Sequence, residues 1–539
     1  MLFRKRSMTM NLMTSKKKFK FVSCLIGFIC FLTNDIVFAE DPLIYANNLN
    51  YVGAFRLPVG TFGASSFSYA SAVITFNPTN KSLFIVGHDQ NQMVSEVSIP
   101  EPVNSANLSS LKVATVLQNF SDITEGNISN LASGGVKISG TYGKLGGLLV
   151  YNNKLIGTSY SYYGVGSPSV ATSHFTSGLN LSTLGDFKGM FQVGSDTSGV
   201  SFRSGFMSLV PESMQTALGG PVLTGNGCIS VVSRTSAGPA AFAFDPANLG
   251  VVTPVPDVPL LYYPVTNSTL GNPAPALGEP SSAYWSLSTR IKGMMMIPGS
   301  RSLLYFGYHG LGPYCYGGST GDPALIGTVN DECYDPTGVG GKGPHQYPYI
   351  YQAWAYDTND LIAVKAGQKK PWDVLPYAVW KLPFDFVGVD IYGGSAAYDP
   401  STQRLYIAST GGDTSNLSNR LPLIHVFQVD MTRLASSSYK VKGTVILMKG
   451  NLTLKNNGQD EIAVNSDNRA NTINFSFMKY YMPGSDYNVT ISSHPENQKC
   501  AVHRGRGTIN ANSDIESILI TCEDTSIKAP VNFKGTLIK

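Results

Sequence analysis

A short phrase recurs five times between residues 71 and 408 of this 539-residue chain. Each copy opens with a small or glycine-rich lead into an apolar strand, at residues 71–76, 146–151, 205–210, 293–297 and 394–398. A second apolar strand follows at 83–87, 155–157, 228–232, 303–307 and 405–408. Turn residues such as Asn77-Pro78, Asn152-Asn153 and Asp399-Pro400 separate the two. Third strands with spaced apolar residues stand at 94–99 and 425–429, and a fourth element at 116–120, 190–193, 261–265 and 379–383. The last copy lacks a fourth element after Val429; its counterpart, Ala54-Phe55-Arg56-Leu57-Pro58, lies at the other end of the chain. Four-stranded units with one unit completed by the opposite terminus predict an all-β chain closed into a β-propeller. Closure removes the last free sheet edge, an aggregation hazard. The repeat gives five blades within residues 43–433, with six or seven left open because residues 266–292 and 310–350 have room for further strands. An array of two-sheet sandwiches does not explain the permuted fourth strand.

Composition agrees. Charged residues make up 14% of the chain, against about 25% in ordinary globular proteins, which excludes charge-driven disorder and a coiled coil. The 55 Gly, 31 Pro and 11% aromatic residues suit short strands and tight turns. Helical periodicity is almost absent, and the alternation of apolar and polar residues predicts half-buried strands.

Residues 1–39 read as a secretory signal peptide: Lys16, Lys17, Lys18 and Lys20, an apolar run from Phe21 to Leu32, and small residues at Val37 and Ala39 before a cleavage point. The apolar run is too short to span a bilayer and is broken by Asn34 and Asp35. Export permits disulfides. Cys315 with Cys333, and Cys500 with Cys522, each bracket one local segment and are expected to pair, whereas Cys228 is left over as a small buried hydrophobe.

After a short linker, residues 439–524 form a separate β unit, with Asn456-Asn457-Gly458 as a hairpin turn. The stretches "LTLKNNGQDEI", "GSDYNVTI", "ENQKCAV" and "ILITC" resemble an Ig-like β-sandwich module of secreted and surface proteins of Gram-negative bacteria. The resemblance implies a periplasmic, extracellular or cell-surface location and a spacer or binding role, and brings no catalytic residues. The propeller part resembles no named family. Residues 525–539 read as a flexible tail.

In a four-stranded blade, the loop between strands two and three shares a face with the blade-to-blade connection. Sorting by face brings His88, Asp89, Tyr162, Tyr163, Arg234, Tyr308 and His309 together with Tyr69, Lys144, Arg203, Glu279, Trp285, Arg290, Asp390 and Tyr392. Such a rim suits a polar ligand, because aromatic faces stack on sugar rings and Arg or Lys pairs with anions. The ligand-contact candidates are His88, Tyr162, Tyr163, Arg234, Trp285, Arg290, Tyr308, His309 and Tyr392. Asp89, Glu279 and Asp390 are the candidate catalytic carboxylates, should a glycoside hydrolase or polysaccharide lyase be built here. No cofactor is expected, apart from a structural calcium if Asp331, Glu332 and Asp335 converge. The insertion at 310–350 reads as a contact loop over the rim. No Walker loop, dinucleotide fingerprint, nucleophile elbow or zinc-protease motif occurs. The leading reading is a non-catalytic secreted protein that binds a glycan or an extracellular protein; the alternatives are a carbohydrate-active enzyme and a structural part of a secreted assembly.

The net charge of +4 hints at an anionic partner such as nucleic acid. Seven of the 39 basic residues and one acid lie in residues 1–39, so the remainder is mildly acidic. Neither nucleic acid nor membrane insertion is expected of it.

Overall fold

A computed structural model of the chain describes residues 41–138, 143–161, 169–195, 197–226, 235–273, 275–282, 284–326, 333–337, 341–386, 395–415, 419–431, 439–458, 460–466, 472–481, 486–509 and 514–525. The signal-peptide and tail readings, and Cys228, lie outside these residues.

The described residues are nearly all β, with two short α-helices, Glu212–Leu218 and Thr358–Lys365. Five four-stranded antiparallel sheets follow one another in a propeller-like arrangement. Sheet I holds Ile74–Asn77, Ser82–Val86, Val94–Ser98 and Val116–Ser121. Sheet II holds Gly143–Tyr151, Lys154–Ser161, His174–Ser177 and Lys188–Phe191. Sheet III holds Met207–Leu209, Val222–Thr224, Ala241–Phe244 and Asp257–Leu261. Sheet IV holds Arg290–Met296, Ser302–Gly310, Tyr349–Asp357 and Ala378–Lys381. Sheet V holds Ala396–Asp399, Arg404–Asp413 and Leu421–Val429, and its fourth strand is Leu49–Arg56 from the start of the described chain. The first strands touch in cyclic order, from I to V and back to I.

Two details differ from the sequence reading. The second strand of sheet III is described at Val222–Thr224, ahead of the expected 228–232, whose residues fall in the undescribed stretch 227–234. The fourth is Asp257–Leu261, not 261–265.

The inner three strands of these sheets are buried on both faces, whereas the fourth strands, such as Val116–Ser121 and Lys188–Phe191, are half-buried as expected. Successive side chains of a strand point to opposite faces, and on the inner strands each face meets a neighbouring sheet. Leu303 and Tyr305 join the core shared with sheet III, and Leu304 and Phe306 the core shared with sheet V. Three further cores join V to I, I to II and II to III. Such strands read as continuous apolar runs.

The glycine-rich leads have a steric cause. A Cβ on Gly147 would lie 2.2 Å from the carbonyl oxygen of Gly205, and one on Gly146 2.2 Å from that of Ser204. A Cβ on Gly293 would lie 2.6 Å from the amide nitrogen of Ala396. The first strands thus approach one another backbone to backbone, with no side chain able to yield. Gly147→Ala is expected to destabilise the protein by about 1–3 kcal/mol, seen as a lower urea midpoint. An unchanged midpoint would contradict the close approach.

Residues 439–524 form two more four-stranded sheets. One is ordered Thr472–Tyr481, Tyr439–Ile446, Ile515–Asp524, Gln498–His503, with its central pair parallel. The other is ordered Asp460–Asn465, Asn451–Asn456, Asp486–Ser493, Arg506–Thr508. Val441, Leu454, Phe477, Val489 and Ile520 share a single core. Asn457 and Gly458 both have positive φ, as a tight hairpin turn requires. Both expected disulfides are present: Cys500–Cys522 joins directly opposed strand residues, and Cys315–Cys333 closes part of the insertion between the second and third strands of sheet IV. Among the described residues no helix is long and apolar enough to cross a membrane.

Candidate functional site

The loop after the second strand of sheet I is zipped to the connection that enters the sheet. His88 N donates to Ser66 O, Asp89 N to Tyr69 O and Ser71 N to Gly87 O, all at 2.9 Å. The Asp89 carboxylate accepts from Ser71 Oγ at 2.8 Å and pairs with Lys144 Nζ from the first strand of sheet II. Gln92 Nε2 donates to Asp89 O at 2.6 Å, while Gln92 Oε1 accepts from Leu145 N at 2.7 Å. The Tyr69 amide donates to Asn419 O, in the connection between the second and third strands of sheet V, at 3.2 Å. Three sheets therefore meet at one polar junction.

On this junction Tyr69 is 50% exposed. The His88 ring lies 6.0 Å from it, and the exposed Arg420 guanidinium carbon 5.9 Å from its centroid. Tyr69, Ala72, Gln92 and Arg420 have φ of +50°, +51°, +54° and +43°. Non-glycine residues in this region are strained by roughly 1–3 kcal/mol each, and such strain collects at ligand sites.

The other expected site residues are placed differently. Trp285 and Tyr308 are 4% and 2% exposed; Trp285 sits in the core between sheets III and IV, and Tyr308 packs on Tyr349 and Phe386. His309 is fully buried, its ring bonded to Thr289 Oγ1 at 2.7 Å and to Ser282 O at 2.9 Å. Burial holds His309 neutral, well below the usual imidazole range. Tyr308 and His309 turn inward because the second strand of sheet IV runs on to Gly310 with both faces covered. Arg290 spends its guanidinium on the carbonyls of Leu287 and Thr289. Glu279 is exposed, on a loop whose backbone pairs with Tyr314 of the insertion. Among the described residues no contact joins Glu279 to Asp89. Tyr162, Tyr163, Arg234, Asp390 and Tyr392 lie outside the described residues, as do Asp331 and Glu332.

Asp335 is buried, and its oxygens are taken by Thr337, by His345 Nδ1 at 2.8 Å and by Tyr349 Oη at 2.9 Å. Burial pushes its carboxyl up, but these bonds prevail and hold it below the usual carboxylate range. It fastens the insertion from within. Among the described residues no group of three His, Cys, Asp or Glu is placed to hold a metal ion.

Sequence reasoning missed three features. Arg420 was one, at the far end of the repeat. A second is an apolar cavity of about 260 Å³ at the opposite mouth, lined by the first strands of all five sheets. Its signal was present: Pro78, Pro211, Pro298 and Pro400 each follow a first strand and line that mouth. The third is a cleft of about 610 Å³ beside the fourth strand of sheet IV, with Arg504 in its wall.

The fold and the junction thus define a propeller-like β chain with a strained, half-exposed tyrosine on its loop face. No family model matches the sequence, and no curated protein matches it. Among solved structures it is similar to Kuenenia stuttgartiensis hydrazine synthase, at 12% identity and TM-score 0.27, over 66% of this chain and 78% of that one. It is also similar to the extracellular domain of a putative one-component system from B. thetaiotaomicron, at 9% identity and TM-score 0.25, over 88% and 58%. A third is the catalytic domain of Coprinopsis cinerea GH62 alpha-L-arabinofuranosidase, at 8% identity and TM-score 0.26, over 72% and 98%.

Proposed function

We propose that this chain is an exported, non-catalytic glycan-binding protein: a five-bladed propeller whose loop face carries the site, followed by an Ig-like module acting as spacer. The observation that carries this reading is Tyr69, half exposed and held at positive φ between His88 and Arg420. An exposed phenol ring offers a sugar a stacking face, and the flanking cation and imidazole offer its hydroxyls and acids hydrogen bonds. Asp89 is committed to Lys144 and Ser71, which suits a supporting role better than acid–base work. The two disulfides and the leader at 1–39 support export.

A glycan array probed with the mature chain, run beside a turnover assay on a polysaccharide panel, tests this. The expected result is selective glycan binding without turnover. Turnover abolished by Asp89→Asn would overturn the reading in favour of a carbohydrate-active enzyme. An array without hits, together with capture of a defined extracellular protein, would overturn it in favour of protein recognition.

A further inference from the structure

The cleft beside sheet IV lies where the fourth strand Ala378–Lys381 meets the C-terminal unit, in contact with the strand Ile515–Asp524. Its volume of about 610 Å³ falls within the range of small-molecule sites. Tyr284, Trp380 and Tyr487 give it aromatic walls, and Arg504 and Arg506 give it cations.

Arg504 is the unusual member. Its Nε is sealed from solvent and has no acceptor. Among the described residues no carboxylate pairs with it, and the side chains acting on its charge are the phenols of Tyr284 and Tyr487. Burial lowers its pKa to about 10, which leaves it charged at neutral pH. The nearby rings add no charge: burial lowers His503 to about 4 and holds His309 neutral. Asp514 and Glu516 also line the cleft, but both pair with Lys442. Arg504 itself has a φ of +57°, so the backbone is strained where it presents this side chain. Arg504 is only partly buried, but a guanidinium with a sealed Nε and no counter-ion is costly, and a carboxylate entering the cleft it lines can pair with its two terminal nitrogens in a bidentate fork.

We propose that this cleft is a second binding site, taking a small carboxylate whose body is a single ring, held by Arg504 with Tyr284 and Tyr487 against the ring. Such a carboxylate can belong to a sugar acid or to an aromatic acid. The site is independent of the Tyr69 junction.

Isothermal titration of the full mature chain with glucuronate, benzoate, glucose and inorganic phosphate tests the proposal. At least one of glucuronate and benzoate is expected to bind at least tenfold more tightly than glucose and phosphate; which of them does so identifies the kind of ring. Arg504→Gln is expected to weaken that binding at least tenfold, and Tyr69→Ala to leave it unchanged. Should Arg504→Gln fail to fold, Arg504→Lys keeps the charge and loses the fork, and is expected to weaken binding severalfold. Failure of both carboxylates to bind, equal binding by phosphate, or full affinity in the Arg504 variants would overturn the proposal.

Discussion

Lowering the pH from 7.5 to 5.0 is expected to remove about 4 kcal/mol of stability or more, a large part of what a domain of this kind has in reserve. Three buried histidines carry most of this, and the partly exposed His503, which burial lowers to about 4, adds in the same direction. His174 is fully buried between Ser173 Oγ at 2.9 Å and Thr224 Oγ1 at 3.1 Å, linking sheet II to sheet III. His425 is 4% exposed, bonded to Tyr51 Oη at 3.0 Å and stacked on Phe384 at 3.7 Å. His309 is the third, fully buried. Burial lowers His174 and His425 to about 3, and His309 well below its usual range. Unfolded, each ring takes up a proton near pH 6.5; folded, each stays neutral until far lower pH. The unfolded state therefore binds more protons between about pH 6.5 and 3, so stability is fully present above that window and falls as pH falls through it. At pH 5 His174 and His425 each account for about 2 kcal/mol, and His309 acts in the same direction. The depressed carboxyls of Glu96 and Asp335 act only at lower pH, because burial raises them but hydrogen bonds prevail. Urea unfolding followed by circular dichroism at the two pH values checks this, with a much lower midpoint at pH 5.0 expected and equal midpoints contradicting it. His174→Asn is expected to flatten the dependence.

Arg203→Met is expected to cost about 3–5 kcal/mol, because it strands a buried carboxylate. Arg203 Nε donates to Asp257 Oδ2 at 2.5 Å, and the two side chains are 7% and 8% exposed. The guanidinium also donates to Gly199 O at 2.7 Å and lies 4.1 Å from the centroid of Phe242. Gly194, at φ +83°, makes room for it: a Cβ there would lie 2.6 Å from Arg203 Nε. Asp257→Asn is expected to cost a similar amount, and the double variant Arg203→Met, Asp257→Leu to recover part of the loss. The more solvent-exposed pair Lys369–Asp360, with side chains 31% and 38% exposed, serves as control, with under about 1 kcal/mol at stake. Thermal unfolding of these three variants and a Lys369→Met control reads this out, and an Arg203→Met protein as stable as its parent would contradict the buried pairing.

These two cases show where sequence reading stops. The recurring strands, the N-terminal strand that completes sheet V, and both disulfides were legible because each rests on a local pattern or its repetition. Arg203 read as a rim residue because its partner lies 54 positions away and nothing local announces it. His309 read as a loop residue because Gly307 resembles a strand end; the strand continues because Gly307 lies against the backbone of Arg290, where no side chain fits. The Tyr69 junction draws Lys144 and Arg420 from other sheets, and only ring closure brings them together. Alternation misled about the inner strands, whose two faces each meet a neighbouring sheet, but held for the half-buried fourth strands.

The proposed glycan site requires Tyr69 to act as a recognition surface rather than a fold residue. The most direct measurement is the dissociation constant of the best array glycan for the parent chain, Tyr69→Ala and Arg420→Ala, with unfolding midpoints recorded alongside. About tenfold weaker binding or more in Tyr69→Ala, since Ala removes the ring's contacts with a ligand, and a smaller loss in Arg420→Ala are expected, with midpoints close to that of the parent because both side chains are largely exposed. Parent-like affinity in Tyr69→Ala would contradict the assignment of this face.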